Sequence, residues 1–293
     1  ELAAEAALAA LNDAGGPTVG ALWAASLTAG PLHGQGQLGA LLAAHLGLLP
    51  VPAGQVDAAE ASGALALRSA WLEVAAGRAD VALAVAADMW ADTPPSEVEH
   101  ALAAGLDRAV AGASGLRAIE LHALLALQHM TTYGTTRGHL TAVAVKNHAN
   151  AVHNPRAAFR FGLTPEAVLA SPLVAEPLHQ ADVAEPVDGA AAVVLATREA
   201  ARAAGRRGVV RIAGIGLATD DPAAEHQAAP LTAGATHAAG AAALRMAGLA
   251  VADVELVEVH DVCTSAELLA IEALGLVPPG TAGPATADGV TSL

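Results

Sequence analysis

QVDAAEASGALALRSAWLEVAAGRADVALAVAAD, residues 55–88, is the stretch whose reading decides the fold. An extended segment, 55–58, feeds a turn of small residues at 59–63, and a helix then runs to Gly77. After it, 81–86 has the short apolar profile of a buried strand. Strand, sharp turn, helix and strand together present one side chain against a helix N-terminus, where free N–H groups and the helix dipole favour negative charge. The side chain at the tip is Glu60. Two readings of it stand: it caps the helix through its carboxylate, or it acts as a catalytic base.

Upstream, 1–14 is Ala-rich and helical and is ended by Gly15 and Gly16. A buried strand at 18–26, a loop at 31–36 carrying His33 and a helix at 37–46 follow. Strands alternating with helices predict an α/β layered fold. Downstream, 89–115 is weakly patterned, with Thr93, Pro94, Pro95 and Ser96 inside it, and reads as a long functional or mobile loop. Helices are predicted at 116–133 and 139–151, then an irregular segment with one short helix opened by Thr164-Pro165-Glu166. This middle region interrupts the alternation like an inserted subdomain.

Alternation resumes with strands at 190–196, 209–218 and 254–259 and helices at 198–204 and 236–246. A Gly/Ala/Asp-rich turn follows 218. His260 and Asp261 stand at the carboxyl end of the last strand, where ligand-binding residues collect in α/β sheets. Asp261 suits a helix cap, leaving His260 to donate to a carbonyl or water; a structural histidine is the other reading. Thr264-x-x-Glu267 reads as a capping box opening a helix at 265–274. The chain begins inside a helical pattern without Met and ends in a Gly/Pro/Thr-rich stretch, so segments are expected to be missing at both ends.

Composition narrows the function. Apolar residues make up 54% of the 293 but aromatic ones only 2%, so the core is packed from Ala, Val and Leu and backbones approach closely. No apolar run has the length needed to span a bilayer, and a soluble cytoplasmic protein without membrane contact is expected. Fourteen basic against twenty-nine acidic residues, a formal charge of -15 with no Lys/Arg stripe, argue against nucleic acid. A single cysteine, Cys263, excludes an internal disulfide and a multi-Cys metal site, and reads as a small buried hydrophobe. No metal-ligand spacing is found among the other histidines, His226 included, and no phosphate-loop or dinucleotide fingerprint occurs. The densest polar cluster is Lys146, Asn147, His148 and Asn150, continued by His153, Asn154, Pro155 and Arg156. It fits a helix C-terminus whose cations complement the dipole, and it also fits a site for polar ligand groups.

Five segments, AAEASGALALRSAWLEVAAGRADVALAVAADMW, AVAVKNHANAVHNP, SPLVAEPLHQADVAEPVDGAAAVVLAT, RIAGIGLAT and VEVHDVCTSAELLAIEALGL, together resemble the thiolase superfamily, in particular its sterol-carrier or lipid-transfer branch of acyl-CoA thiolases. The resemblance implies duplicated βαβαβαββ halves in a five-layer α-β-α-β-α sandwich with an inserted loop subdomain. It implies an N-terminal half at 1–115, a coenzyme A-binding loop subdomain at 116–178 and a C-terminal half at 179–293. A homodimer is implied, joined in related complexes by a small OB-fold acyl-CoA-binding protein, with a coenzyme A thioester as ligand and no covalently bound cofactor. Lys146, Asn147, His148 and Asn150 are the implied ligand-binding residues, and Glu60 and His260 the implied catalytic ones. His260 matches the histidine that holds a water or carbonyl in an oxyanion hole.

The sequence departs from the family's pattern at the chemistry. Glu60 stands where the nucleophilic Cys belongs, Cys263 aligns with a Phe of the His-Asp-Cys-Phe motif, and no Gly-His-Pro or later Cys-x-Gly follows. A Claisen route through a covalent acyl intermediate is thereby closed. Three functions are compatible: a retro-aldol or related C–C enzyme of lipid or steroid side-chain CoA metabolism, a noncatalytic subunit that scaffolds a partner, and an acetyl-CoA acetyltransferase homologue that has lost its activity.

Overall fold

The computed structural model describes residues 1–107, 109, 111–206, 209–220 and 230–293. The turn expected after 218 falls largely outside these residues, and so does His226. The chain forms two bodies, Glu1–Gly105 with Pro186–Arg211, and Leu106–Glu185 with Ile212–Leu293. In chain order the first body holds α1 (Leu2–Asp13), β1 (Ala21–Ala25), α2 (Ala29–His33), α3 (Leu38–His45), β2 (Ala53–Val56), α4 (Ser62–Ala75), β3 (Val81–Asp88) and α5 (Pro95–Leu102). The second body then takes α6 (Ala111–Ser114), α7 (Ala118–Tyr133), α8 (Arg137–Ala151), α9 (Pro165–Ala170), β4 (Leu173–Ala175) and β5 (Leu178–His179). β6 (Gly189–Ala196) and α10 (Arg198–Ala203) return to the first body, and α11 (Gly234–Ala247), α12 (Thr264–Ala273) and α13 (Ala282–Ala287) complete the second.

The first body is built on a sheet in the order β2-β1-β3-β6. β1 runs parallel to both neighbours, with Leu22 opposite Ala53 and Leu83, while β6 runs antiparallel to β3, with Val194 opposite Leu83. Alternation sends Leu22, Ala24, Leu83 and Val85 to one face, where they pack with Ala3, Ala4 and Ala7 of α1 and Leu42 and Ala43 of α3. α4 covers the strands from the alanine-rich side, burying Ser62, Ala66 and Ala70 at successive turns. Small residues on both surfaces let helix and sheet approach closely, as the aromatic-poor composition requires. The segment after β3 departs from the expected loop: Pro95 takes the first helical position of α5, where its missing N–H costs nothing.

The second body is helical around α12. Eight of its residues, among them Leu268, Leu269 and Ile271, are buried on all sides, and Leu268 and Ile271 join Ala123, Ala126, Leu140 and Val143 from α7 and α8. Full burial also encloses two carboxylates, Glu267 and Glu272. Glu272 accepts hydrogen bonds from His129 Nε2 at 3.1 Å and from the backbone N–H groups of Gly280 at 2.7 Å and Ala282 at 3.0 Å. His129 Nδ1 meets the Thr135 hydroxyl at 2.8 Å. Burial alone would raise the Glu272 pKa, but the bonds from His129, Gly280 and Ala282 outweigh it and hold the carboxyl below its ordinary value. A third buried carboxylate, Asp182, receives a bidentate fork from Arg137 at 3.0 and 2.6 Å.

Two expected strands are corrected. Residues 209–218 and 254–259 pair in no ladder among the described residues, and Val210, Leu217 and Leu256 stand exposed. The extended part of the first keeps the contact a strand would make with a helix: a Cβ on Gly214 or Gly216 would lie 2.0 Å from Ala243 O or 1.9 Å from Ala239 O of α11. Apolar sequence and glycine set an extended, helix-packed backbone, but strand pairing needs a neighbour as well. The expected capping box is corrected too. The N-cap of α12 is Cys263, without a side-chain cap bond, and Thr264 Oγ1 donates instead to Asp182 Oδ1 at 3.2 Å.

Gly216→Ala is expected to destabilise the protein by about 1–3 kcal/mol through overpacking against α11, read from the urea midpoint. Glu272→Ala, which removes the partner of His129 Nε2 and of the Gly280 and Ala282 N–H groups, is expected to cost about 3–5 kcal/mol at neutral pH. A carboxyl whose folded pKa is lowered stabilises the fold above its unfolded value and loses that contribution as pH falls through the folded one. The gap between wild type and variant therefore narrows below about pH 4.3, measurable as a pH series of urea melts.

Candidate functional site

The elbow that follows β2 is a strained turn held by its own side chains. Ala59 has φ +48, a left-handed conformation that costs a non-glycine residue about 1 kcal/mol or more. Asp57 Oδ1 accepts the Ala59 N–H at 2.9 Å, and the Ser62 hydroxyl oxygen accepts the Ala58 N–H at 2.9 Å. The Ser62 proton faces Ala59 O at 2.6 Å and Asp57 Oδ1 at 3.1 Å. Glu60 sits exposed on the short 3-10 turn Ala59–Ala61, while the N-cap of α4 is Ala61, which has no side-chain cap bond. Asp57 and Ser62 are elements of the turn that sequence reasoning did not single out; the signal was an Asp and a Ser five residues apart astride a run of alanines.

At the carboxyl ends of β1 and β3 a second polar frame forms. Asp88 accepts from Ser26 Oγ at 2.7 Å, Thr28 N at 2.9 Å and Thr28 Oγ1 at 2.6 Å. Trp90 Nε1 donates to Thr28 Oγ1 at 2.8 Å, and Asp188 accepts the N–H groups of Trp90 at 2.6 Å and Ala91 at 2.8 Å. The N–H groups of Ala91 and Trp90 hold the Asp188 carboxyl below its usual range. Every bond runs into a carboxylate or hydroxyl already shared, so the frame fixes the loop after β3 and offers no unengaged base.

In the second body, the last turns of α8 meet the start of α12. Asn147 Nδ2 donates to Asp261 Oδ2 at 3.0 Å and to Glu267 Oε2 at 2.7 Å, and Asn147 Oδ1 accepts from Lys146 Nζ at 2.5 Å. Lys146 Nζ also lies 3.0 Å from Glu267 Oε1, in an ion pair whose side chains are only 13% and 4% exposed. Both amide hydrogens and the amide oxygen of Asn147 are engaged, which fixes its orientation. Sequence reasoning placed Asp261 as a cap and Glu267 in a capping box. The structure turns both toward Asn147, and so joins Lys146 and Asn147 to the residue beside the exposed His260. Three-residue spacing within α12 already put Glu267 on one face with Thr264 and Ala270, but its partner lies 120 residues away.

The other two residues of the polar cluster go elsewhere. His148 Nδ1 meets Phe161 O at 3.2 Å, and its ring lies 5.4 Å from that of Phe161 and 6.5 Å from that of Phe159. Asn150, on the last turn of α8, joins none of these side-chain bonds. Cys263 is fully buried, and burial pushes its thiol pKa up against smaller contributions from Ser265. No His/Cys/Asp/Glu group among the described residues has a metal-binding arrangement, and no described helix is long and apolar enough to cross a membrane. A shallow hollow lined by Pro31, Leu32, Ser96, Glu97, His100 and Ala101 contains none of the site residues.

The comparisons with known proteins agree with this architecture. Residues 1–172 match the thiolase N-terminal domain and 216–293 the thiolase C-terminal domain-like family. The chain is 38% identical to an acetyl-CoA acetyltransferase of Methanothermobacter thermautotrophicus, over 100% of this chain and 76% of that protein. It is 31% identical to sterol carrier protein 2 of Oryctolagus cuniculus over 53% of this chain and 29% of that one. Among solved structures, the Ltp2-ChsH2(DUF35) aldolase superposes with a TM-score of 0.76 at 24% identity, covering 98% of this chain and 75% of its own. With both family domains matched in order and the strand, elbow and helix of the first body in place, the chain belongs to the thiolase superfamily.

Proposed function

We propose that this chain binds acyl-CoA thioesters and breaks or forms a C–C bond without a cysteine nucleophile, in lipid or steroid side-chain CoA metabolism. The observation that carries the reading is a carboxylate, Glu60, on an intact strained elbow, in a chain whose single thiol is buried. In the retro-aldol direction Glu60 takes the proton of a β-hydroxyl group, the Cα–Cβ bond breaks, and its electron pair moves into the thioester as an enolate. Protonation at Cα then releases a shortened acyl-CoA and a carbonyl compound. The coenzyme is assigned to the 116–178 subdomain, which carries Lys146, Asn147, His148 and Asn150 on α8. The chain works as a cytoplasmic homodimer.

Similarity to an aldolase supports the chemistry, and the two-component name of that neighbour, Ltp2-ChsH2(DUF35), favours a second reading in which a small OB-fold acyl-CoA-binding partner docks on a noncatalytic thiolase-like subunit. Turnover separates the two: release of a carbonyl compound from a β-hydroxyacyl-CoA, reduced about 10²–10⁴-fold in Glu60→Gln, is the enzymatic outcome, and equal rates in both proteins exclude Glu60 as base. Incubation with acetyl-CoA followed by intact-mass measurement is expected to show no adduct on the wild type; a stable acetyl group at the elbow would sink the reading. Glu60→Cys is expected to gain that adduct, because a thiol at this helix N-terminus is activated.

A further inference from the structure

Within residues 55–63 only Ala59 has a positive φ, and it is held on three sides. Its N–H donates to Asp57 Oδ1 at 2.9 Å, and its carbonyl accepts the Ser62 hydroxyl at 2.6 Å. Its methyl group abuts the short 3-10 turn Ala103–Gly105, where a Cβ on Gly105 would lie 2.9 Å from the Ala59 Cβ. The backbone does not impose this conformation. Ala61 N–H closes the turn on Ala58 O at 3.0 Å, a bond that an ordinary right-handed residue at 59, with φ of about −60°, would allow equally well. The left-handed choice therefore falls to the two side chains. Backbone strain persists only where its surroundings over-determine it, and such strain gathers at sites of chemistry.

We infer that Asp57 and Ser62 are positioning residues for position 60: by fixing Ala59 they hold the tip side chain at the N-terminal end of α4. The inference rests on the reading of the elbow as the place of chemistry given above. What Asp57 supplies is an acceptor oxygen, not its charge. A carboxylate three residues from the tip disfavours a second anion there, whereas the helix dipole favours one. The two contributions have opposite signs, so substitution separates them. The Ser62 hydroxyl works in both directions, accepting the Ala58 N–H at 2.9 Å while donating to Ala59 O, and alanine replaces neither function.

Alkylation of Glu60→Cys by iodoacetamide, followed across pH by intact-mass measurement, tests it, with buried Cys263 as the slow internal blank. The thiol introduced at position 60 is expected to titrate below the ordinary cysteine value of about 8.5. Adding Asp57→Ala or Ser62→Ala is expected to raise that midpoint by about one pH unit or more. Asp57→Asn, which keeps an acceptor oxygen for the Ala59 N–H, is expected to leave it in place. Loss of negative charge alone does the opposite and lowers the midpoint in both Asp57 variants. Such a fall, an unmoved midpoint in Asp57→Ala and Ser62→Ala, or a rise in Asp57→Asn equal to that in Asp57→Ala overturns the inference. Thermal melting checks that each variant folds, and Ser62→Ala carries the same reading should Asp57→Ala not fold. With Glu60 in place, Asp57→Ala is expected to lower kcat for a β-hydroxyacyl-CoA about tenfold or more at unchanged KM, and a loss confined to KM overturns the positioning role. Absence of turnover in the wild type beside the expected alkylation series sinks the acyl-CoA reading and leaves the positioning role standing.

Discussion

Burying α12 on every side is the constraint on which the second body depends, because the helix carries Glu267 and Glu272 into the core with its leucines. An ionised carboxylate removed from water is costly unless opposite charge or several donors replace the solvent. Each glutamate therefore recruits a neighbouring element. Glu272 binds α7 through His129 and draws the 280–282 backbone onto the helix. Glu267 binds α8 through Lys146 and Asn147. The polar site is thus a by-product of satisfying a buried helix, and its geometry is as rigid as the core it belongs to.

The first body solves a different problem with different means. Its sheet and helices meet through alanine, as at Ala66 and Ala70 on α4 and Ala3, Ala4 and Ala7 on α1. Such surfaces bury little apolar area per residue but permit close backbone approach, so the stabilisation comes from many short contacts rather than a few large side chains. Polar order is then confined to the strand ends, where Asp88 and Asp188 gather donors from the following loop.

Much of this was legible in the sequence, and the failures share a cause. The strands around the elbow, the helices of the middle region and the turn bearing Glu60 follow from local periodicity and small-residue turns, which act over a few residues. The pairing of 209–218 and 254–259 does not, because apolar alternation specifies an extended backbone but not the neighbour that completes a ladder. Glu267 misled for the related reason that a Thr-x-x-Glu spacing looks the same whether the glutamate caps its own helix or turns to a lysine on another. The bond from Asn147 to Asp261 spans 114 residues and has no local signature.

The elbow shows a separation between shape and reactivity. Its left-handed Ala59 is held by Asp57 and Ser62, which stand on either side of the tip residue in sequence. A change of residue at position 60 keeps both of these framing side chains in the chain. The frame at 57 and 62 and the residue presented at 60 are thus separate parts of the same turn. Shape at this elbow is set beside the tip, and chemistry is set at it.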